Sequence, residues 1–130
     1  MGLALVKQNV EDERPDLSIG HIGLRVRDLK KSSEFFKLVG ARTVFRMPSM
    51  AILELRGGTH LILRRNKNAQ SADASFDLMV DDVEEMRQRL IAAGYSPSGI
   101  SRGGVHRSFN VIEPSGVRLE FTSSHATGPV

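Results

Sequence analysis

One pattern runs through this sequence twice. The first copy opens with Ile19-Gly20-His21-Ile22-Gly23-Leu24-Arg25-Val26, where Ile22, Leu24 and Val26 alternate with other residues, the period of a half-buried strand. Asp28 then stands as an N-cap before Leu29, Phe35, Phe36 and Val39, apolar positions on one helical face, and Gly40 ends the run. Strand-like segments follow at 42–46, 51–55 and 59–63, the last two joined through Arg56-Gly57-Gly58. The second copy begins with the alternating Ser75-Phe76-Asp77-Leu78-Met79-Val80. Asp81 or Asp82 caps its helix, Val83, Met86 and Leu90 form the stripe, and Gly94 stops it. A Gly/Ser-rich stretch then leads to strands at 106–112 and 117–121. Placing Val26 on Val80 puts Asp28 on Asp82 and Leu29 on Val83, an offset of 54. Placing Gly58 on Gly116 puts Leu61 on Leu119 and Leu63 on Phe121, an offset of 58, so residues 96–104 carry the difference. A chain that repeats itself in this way folds as two βαβββ units.

A chain of 130 residues, 40% AVILMFWYC and 25% charged, buries one core and not two independent ones. The folded part is expected at 19–122, with one module at 19–65 and the other at 74–122. Residues 1–18 read as an extension with a short strand near 3–6, and 123–130 as a loose tail. No window approaches the roughly 18 uncharged apolar residues of a membrane-spanning helix. Met1-Gly2-Leu3-Ala4-Leu5-Val6-Lys7 lacks a charged leader and a cleavage site, which points to a cytoplasmic protein without membrane partners. The absence of cysteine excludes a disulfide framework, a thiolate zinc site and a cysteine nucleophile. The net charge of +3 comes from 18 Lys+Arg against 15 Asp+Glu. The densest basic stretch, Arg64-Arg65-Asn66-Lys67, is too short to track a phosphate backbone. With no Trp and one Tyr there is no stacking platform either. That stretch reads as a solvated basic loop, and no nucleic-acid partner is expected.

The segments His21-Ile22-Gly23-Leu24-Arg25-Val26-Arg27-Asp28-Leu29, Phe35-Phe36 and Val80-Asp81-Asp82-Val83 resemble those of the vicinal oxygen chelate superfamily. Its members include glyoxalases, methylmalonyl-CoA epimerases, fosfomycin-resistance thiol transferases, extradiol dioxygenases and bleomycin-binding proteins. The closing run from Arg107 through Asn110-Val111-Ile112-Glu113-Pro114-Ser115-Gly116-Val117-Arg118-Leu119-Glu120-Phe121 carries the resemblance furthest. It is similar to the family's final hairpin, usually written Asp-Pro-x-Gly before an apolar-Glu-apolar strand, with Glu113 here replacing the Asp. Pro114 pre-sets φ and Gly116 suits the fourth turn position. The resemblance covers roughly 19–122. It implies an α+β, glyoxalase-like fold: two βαβββ modules whose sheets form an open cup with the helices outside.

Strand alternation assigns the faces independently of the family. If Ile22, Leu24 and Val26 pack on the helix, His21, Gly23 and Arg25 face the cup. By the same rule His60, Ile62 and Arg64 line it, as do Ser75, Asp77 and Met79, and also Arg118 and Glu120. The resemblance places metal ligands at four of these positions, here His21, Ile62, Ser75 and Glu120. His21 and Glu120 suit a divalent ion; Ile62 has no donor and Ser75 only a hydroxyl. His60 becomes a third donor only if the register shifts, because two strand residues span about 6.6 Å against a metal bond near 2.1 Å.

Two functions follow. In the first, a metal-dependent lyase, isomerase or oxygenase holds one divalent ion (Zn, Ni, Mn or Fe) on His21 and Glu120, with Glu120 as the catalytic base. The ion chelates neighbouring oxygens of the substrate. In the second, the same cup binds or sequesters a small molecule without metal, as resistance-type relatives do. In both, Arg25, His60, Ser75, Asp77, His106 and Arg118 are the substrate-binding candidates, His106 because it follows a Gly-rich loop able to lid the cup. Arg25, Arg64 and Arg118 favour a polar or anionic ligand over cationic bleomycin. Exposed strand edges favour a homodimer.

Overall fold

The computed structural model describes residues 12–103 and 106–130; the strand expected near 3–6 and the last residue of the 96–104 stretch lie outside them. The elements are β1 (His21–Val26), α1 (Leu29–Leu38), β2 (Arg42–Met47), β3 (Met50–Glu54), β4 (His60–Arg65), β5 (Ala72–Asp73), β6 (Leu78–Val80), α2 (Val83–Ala92), β7 (Ser101–Arg102), β8 (Arg107–Ile112) and β9 (Val117–Ser123). The two helices begin alike. Asp28 Oδ1 accepts from the Lys31 N–H and Asp82 Oδ1 from the Glu85 N–H, each at 3.0 Å, satisfying a donor that the first turn otherwise leaves bare. Of the two candidate caps in the second module, Asp82 therefore serves, and Asp81 turns away. Both helices stop before glycines of positive φ, Gly40 at +116° and Gly94 at +95°.

Each module folds its last strand parallel to its first. The first sheet has the order β1-β4-β3-β2; in the second, β7-β8-β9 is bordered by β5 and β6, which follow one another along β9. The second module corrects one expectation. Strand 75–80 is not continuous: Asp73 pairs with Arg118 and Leu78 with Phe121, so five steps on one side face three on the other. The two surplus residues are absorbed in a bend at Ser75 and Phe76, as in a bulge.

The inward residues of both sheets meet the helices. Val26, Ala51, Leu53, Leu61 and Leu63 pack with Phe35 and Phe36, while Phe109, Val111, Leu119 and Phe121 pack with Val83, Met86 and Leu90. A fully buried side chain of this size contributes about 1.5–3 kcal/mol, so these residues, which form one cluster, supply the bulk of the driving force. Aromatic contacts extend them across the modules: Phe35 meets Phe36 edge-on at 5.3 Å and Tyr95 of the second module at 5.1 Å. Among the described residues no helix is long and apolar enough to cross a membrane.

No ladder joins the two sheets among the described residues, so side chains close the seam between them. At one end Arg27 donates to the Ala69 carbonyl at 2.9 Å, and at the other Arg56 pairs with Asp81 at 2.9 Å. The first strands of the two modules therefore run antiparallel across the seam. Beside the Arg27 contact lies a buried chain of hydrogen bonds. The Asp28 N–H donates to Ser115 Oγ at 3.1 Å, the two hydroxyls of Ser115 and Ser32 lie 2.8 Å apart, and Ser32 donates to the Glu113 carboxylate at 2.5 Å. Since the Ser32 proton is committed to Glu113, Ser115 must donate to Ser32. Glu113 is only 2% exposed and also accepts from the backbone N–H groups of Ser115 and of Val117. The turn beneath it needs Gly116: its φ is +88°, and a Cβ there meets Ser71 Oγ at 2.6 Å.

Truncating the carboxylate strands three buried donors at once, each costing about 1–3 kcal/mol when unsatisfied. Glu113→Ala is therefore expected to lower the stability by at least about 3 kcal/mol, measured by urea unfolding, whereas Asp81→Asn at the exposed end of the seam leaves the unfolding midpoint nearly unchanged.

Candidate functional site

The concave face of the first module is built of rows that cross the sheet from strand to strand. Arg42 pairs in register with Glu54, Glu54 with His60, and His60 with His21. The next row along the strands is Phe45, Ile52, Ile62 and Gly23, and the third is Met47, Met50, Arg64 and Arg25. A bulge at Val44 brings Phe45 and Met47 onto this face. Burial alternates as the sequence demands: in β4 Leu61 and Leu63 are buried while His60 and Ile62 are partly open. His21, Gly23 and Arg25 are exposed, and Ile22, Leu24 and Val26 turn to the helix side.

The first row is electrostatically coupled. Arg42 hydrogen-bonds the Glu54 carboxylate, and His60 Nε2 lies 3.5 Å from its other oxygen. The Arg42 guanidinium, and after it burial opposed by His60, set the Glu54 carboxyl below its ordinary range. The ring of His21 meets that of His60 edge-on, with centroids 5.9 Å apart. An imidazole flanked by a carboxylate is held in one orientation and is suited to accept a proton or a hydrogen bond from a molecule lying in the cup.

The second module presents a different set. Glu120, half-buried, pairs in register with Asn110, Arg118 with Ile112 and Asp73, and Thr122 with Ser108 and Met79. Ser75 falls in the bend, outside both strand pieces. Asp77 precedes β6 and lines the groove between the modules on the helix side, together with Ile22, Phe36, Leu78, Met86 and Phe121. The bend displaces both from the regular strand positions expected for them. His106 stacks on His125, centroids 5.5 Å apart, with its Nδ1 buried and without a hydrogen-bond partner among the described residues. His125 lies in a tail with no periodicity, and nothing in the sequence marked it. Glu54 and Arg42 were equally silent there, because their pairing depends on register across three strands.

The donor set does not fit a metal ion. Ile62 offers no ligand atom, Ser75 lies in a bend, and His60 keeps the unshifted register and faces Glu54. Among the described residues no three His, Cys, Asp or Glu side chains gather in a geometry able to hold an ion, so His21, His60 and Glu120 do not form the three-donor group considered above.

Paired βαβββ units with their helices on one side and an open concave face on the other define the cup-shaped, glyoxalase-like fold. The chain belongs to the glyoxalase/bleomycin resistance protein/dioxygenase superfamily: the family model with that description matches residues 18–121. Solved structures repeat the architecture. A lactoylglutathione lyase from Agrobacterium tumefaciens superposes with a TM-score of 0.72 at 19% identity, covering 89% of this chain and 100% of its own. The bleomycin resistance determinant encoded on transposon Tn5 gives 0.68 at 18% identity, covering 85% and 100%. A bleomycin-binding protein from Streptomyces verticillus, solved with copper(II)-bleomycin, gives 0.63 at 17% identity, covering 85% and 99%. No curated protein matches the sequence.

Because Glu54 has a depressed pKa when folded, its pair adds stability above its ordinary value of 4.5 and loses that contribution as the pH falls below it. Arg42→Ala is expected to move the Glu54 titration upward, followed by carboxyl-carbon NMR. An unchanged midpoint contradicts the pairing.

Proposed function

We propose that this protein binds a small polar or anionic organic molecule in its cup without a metal ion. The observation that carries this reading is the middle row of the first module. Ile62 stands where the resemblance asks for a ligand, and Phe45, Ile52 and Gly23 make that row an apolar floor. Such a floor, bordered by His21, His60 and Glu54 on one side and by Arg25 and Arg64 on the other, suits an organic body with polar ends. Arg118 and Glu120 of the second module would add contacts from across the cup. Structural relatives such as the bleomycin-binding protein support a holding role for the fold. The alternative reading, a lyase, isomerase or oxygenase built on a divalent ion, requires donors that positions 62 and 75 lack.

Thermal shift over a panel of small organic anions tests this reading, in untreated protein and after dialysis against EDTA. The expected outcome is the same set of stabilising compounds with midpoints equal in both samples. Stabilisation that vanishes after EDTA and returns with Zn, Ni, Mn or Fe overturns the metal-free reading and restores the chelating one.

We also place the protein in the cytoplasm as a homodimer. All six residues of β2 are exposed, including Val44, Phe45 and Met47, and β2 is the outer strand of its sheet. An uncovered apolar edge strand is the kind of surface that a second copy covers. Light scattering after gel filtration is expected to give about twice the monomer mass of 14.3 kDa; a monomer at micromolar concentration removes the dimer.

A further inference from the structure

We propose that Arg25 and Arg64 form a phosphate subsite, so that the molecule held in the cup is a phosphomonoester. This rests on the reading of the cup as a small-molecule site and names the class of its ligand.

The two arginines are register partners on parallel strands and point to the same face. Like charges directly opposed across a ladder destabilise it, and among the described residues no carboxylate pairs with either arginine. Among the described residues Arg25, Arg64, Arg65 and Lys67 make no ion pair within 4.0 Å, whereas Arg42, Arg56, Arg89 and Arg107 each hold a carboxylate. The four unpaired cations gather with Asn66 and Asn68 around one open cleft of about 650 Å³.

The cleft wall is fixed independently of any ligand. The Asn66 N–H donates to the Val26 carbonyl at 2.8 Å, the Asn68 N–H to Asn66 Oδ1 at 2.9 Å, and the Ala69 N–H to the Asn66 carbonyl at 2.9 Å. Arg27 ties the same loop to the end of β1. Donor chemistry selects the anion. Two guanidinium forks, an ammonium and two amides offer more N–H groups than the two oxygens of a carboxylate accept, and match the three terminal oxygens of a phosphate dianion. Spacing constrains the rest of the ligand. Four strand residues separate the Arg25/Arg64 row from the His21/His60 row, about 13 Å at 3.3 Å per residue. A phosphate on the arginines thus leaves an apolar or flat body over Gly23 and Ile62 and a hydrogen-bonding group at the imidazoles.

The test follows the arginine Nε–H signals of isotope-labelled protein during titration with inorganic phosphate, against chloride at matched ionic strength. Saturable shifts of Arg25 and Arg64 with phosphate alone are expected. Arg25→Gln or Arg64→Gln should weaken them about tenfold or more, the scale of one charge-assisted hydrogen bond, while Arg56→Gln leaves them unchanged. Equal shifts with chloride, or shifts that persist in the Arg25→Gln/Arg64→Gln double variant, overturn the subsite. So does a response to duplex DNA without one to phosphate, which reassigns the cluster to nucleic acid. Phosphate binding in a protein that no panel compound stabilises keeps the subsite and removes the cup reading. Compounds that bind while phosphate leaves both arginines unmoved do the reverse.

Discussion

The buried carboxylate of Glu113 holds the two halves of this molecule in one frame. Its lone pairs terminate a chain of donors that starts at the backbone of Asp28, passes through Ser115 and Ser32, and includes two amides of its own turn. The first-module helix and the last hairpin of the second module are thereby fixed to each other at the point where no sheet ladder crosses. A carboxyl group this deeply enclosed is tolerated only when its hydrogen bonds are complete. The field of Glu113 reaches Tyr95: burial and then that charge push the phenol above its ordinary range. Tyr95 in turn packs on Phe35, so the polar pin and the apolar seam stabilise the same relative placement.

The two modules share one scaffold and carry different chemistry. At equivalent positions of the last strand the first module carries Ile62 and the second Glu120. Where the first module begins β1 on a regular ladder with His21, the second spends two extra residues in a bend and never sets Ser75 on a strand. Two of the four positions that the resemblance assigns to ligands thus depart in two different ways, Ile62 by side-chain identity and Ser75 by backbone path. What the first module retains is a graded surface, charged and imidazole-bearing at one end, apolar in the middle and cationic at the other. The middle row matters to both ends. Apolar side chains exclude water, lower the local dielectric and strengthen the interactions a bound anion makes on either side.

Much of this was legible in the sequence because alternation and caps are local. The faces of β1, β4 and β9, the capping aspartates, the glycine stops and the helical core of Phe35 and Phe36 all follow from spacings of two, three and four residues. What escaped depends on contacts between distant segments. Glu113 reads as a turn residue, yet its burial is decided by Ser32, 81 positions away. The row from Arg42 to His21 exists only once three pairings fix the register. Ser75 and Asp77 alternate as a strand should, but the ladder to β9 accepts that pattern only from Leu78 onward, so the period was right while the path was not.

Charge shows the same division between what composition states and what geometry decides. A surplus of three positive charges in 130 residues is unremarkable when averaged over a surface, and Arg64-Arg65-Asn66-Lys67 reads as a solvated loop. Folding changes the meaning of that surplus. Arg42, Arg56, Arg89 and Arg107 are neutralised locally, and the stretch that looked solvated is brought against Arg25 from a strand 39 positions earlier. Opposed guanidinium groups on one ladder are a cost that no carboxylate among the described residues offsets. An external anion of sufficient charge is the simplest source of that compensation, because it turns two repulsive neighbours into two ligands of one group.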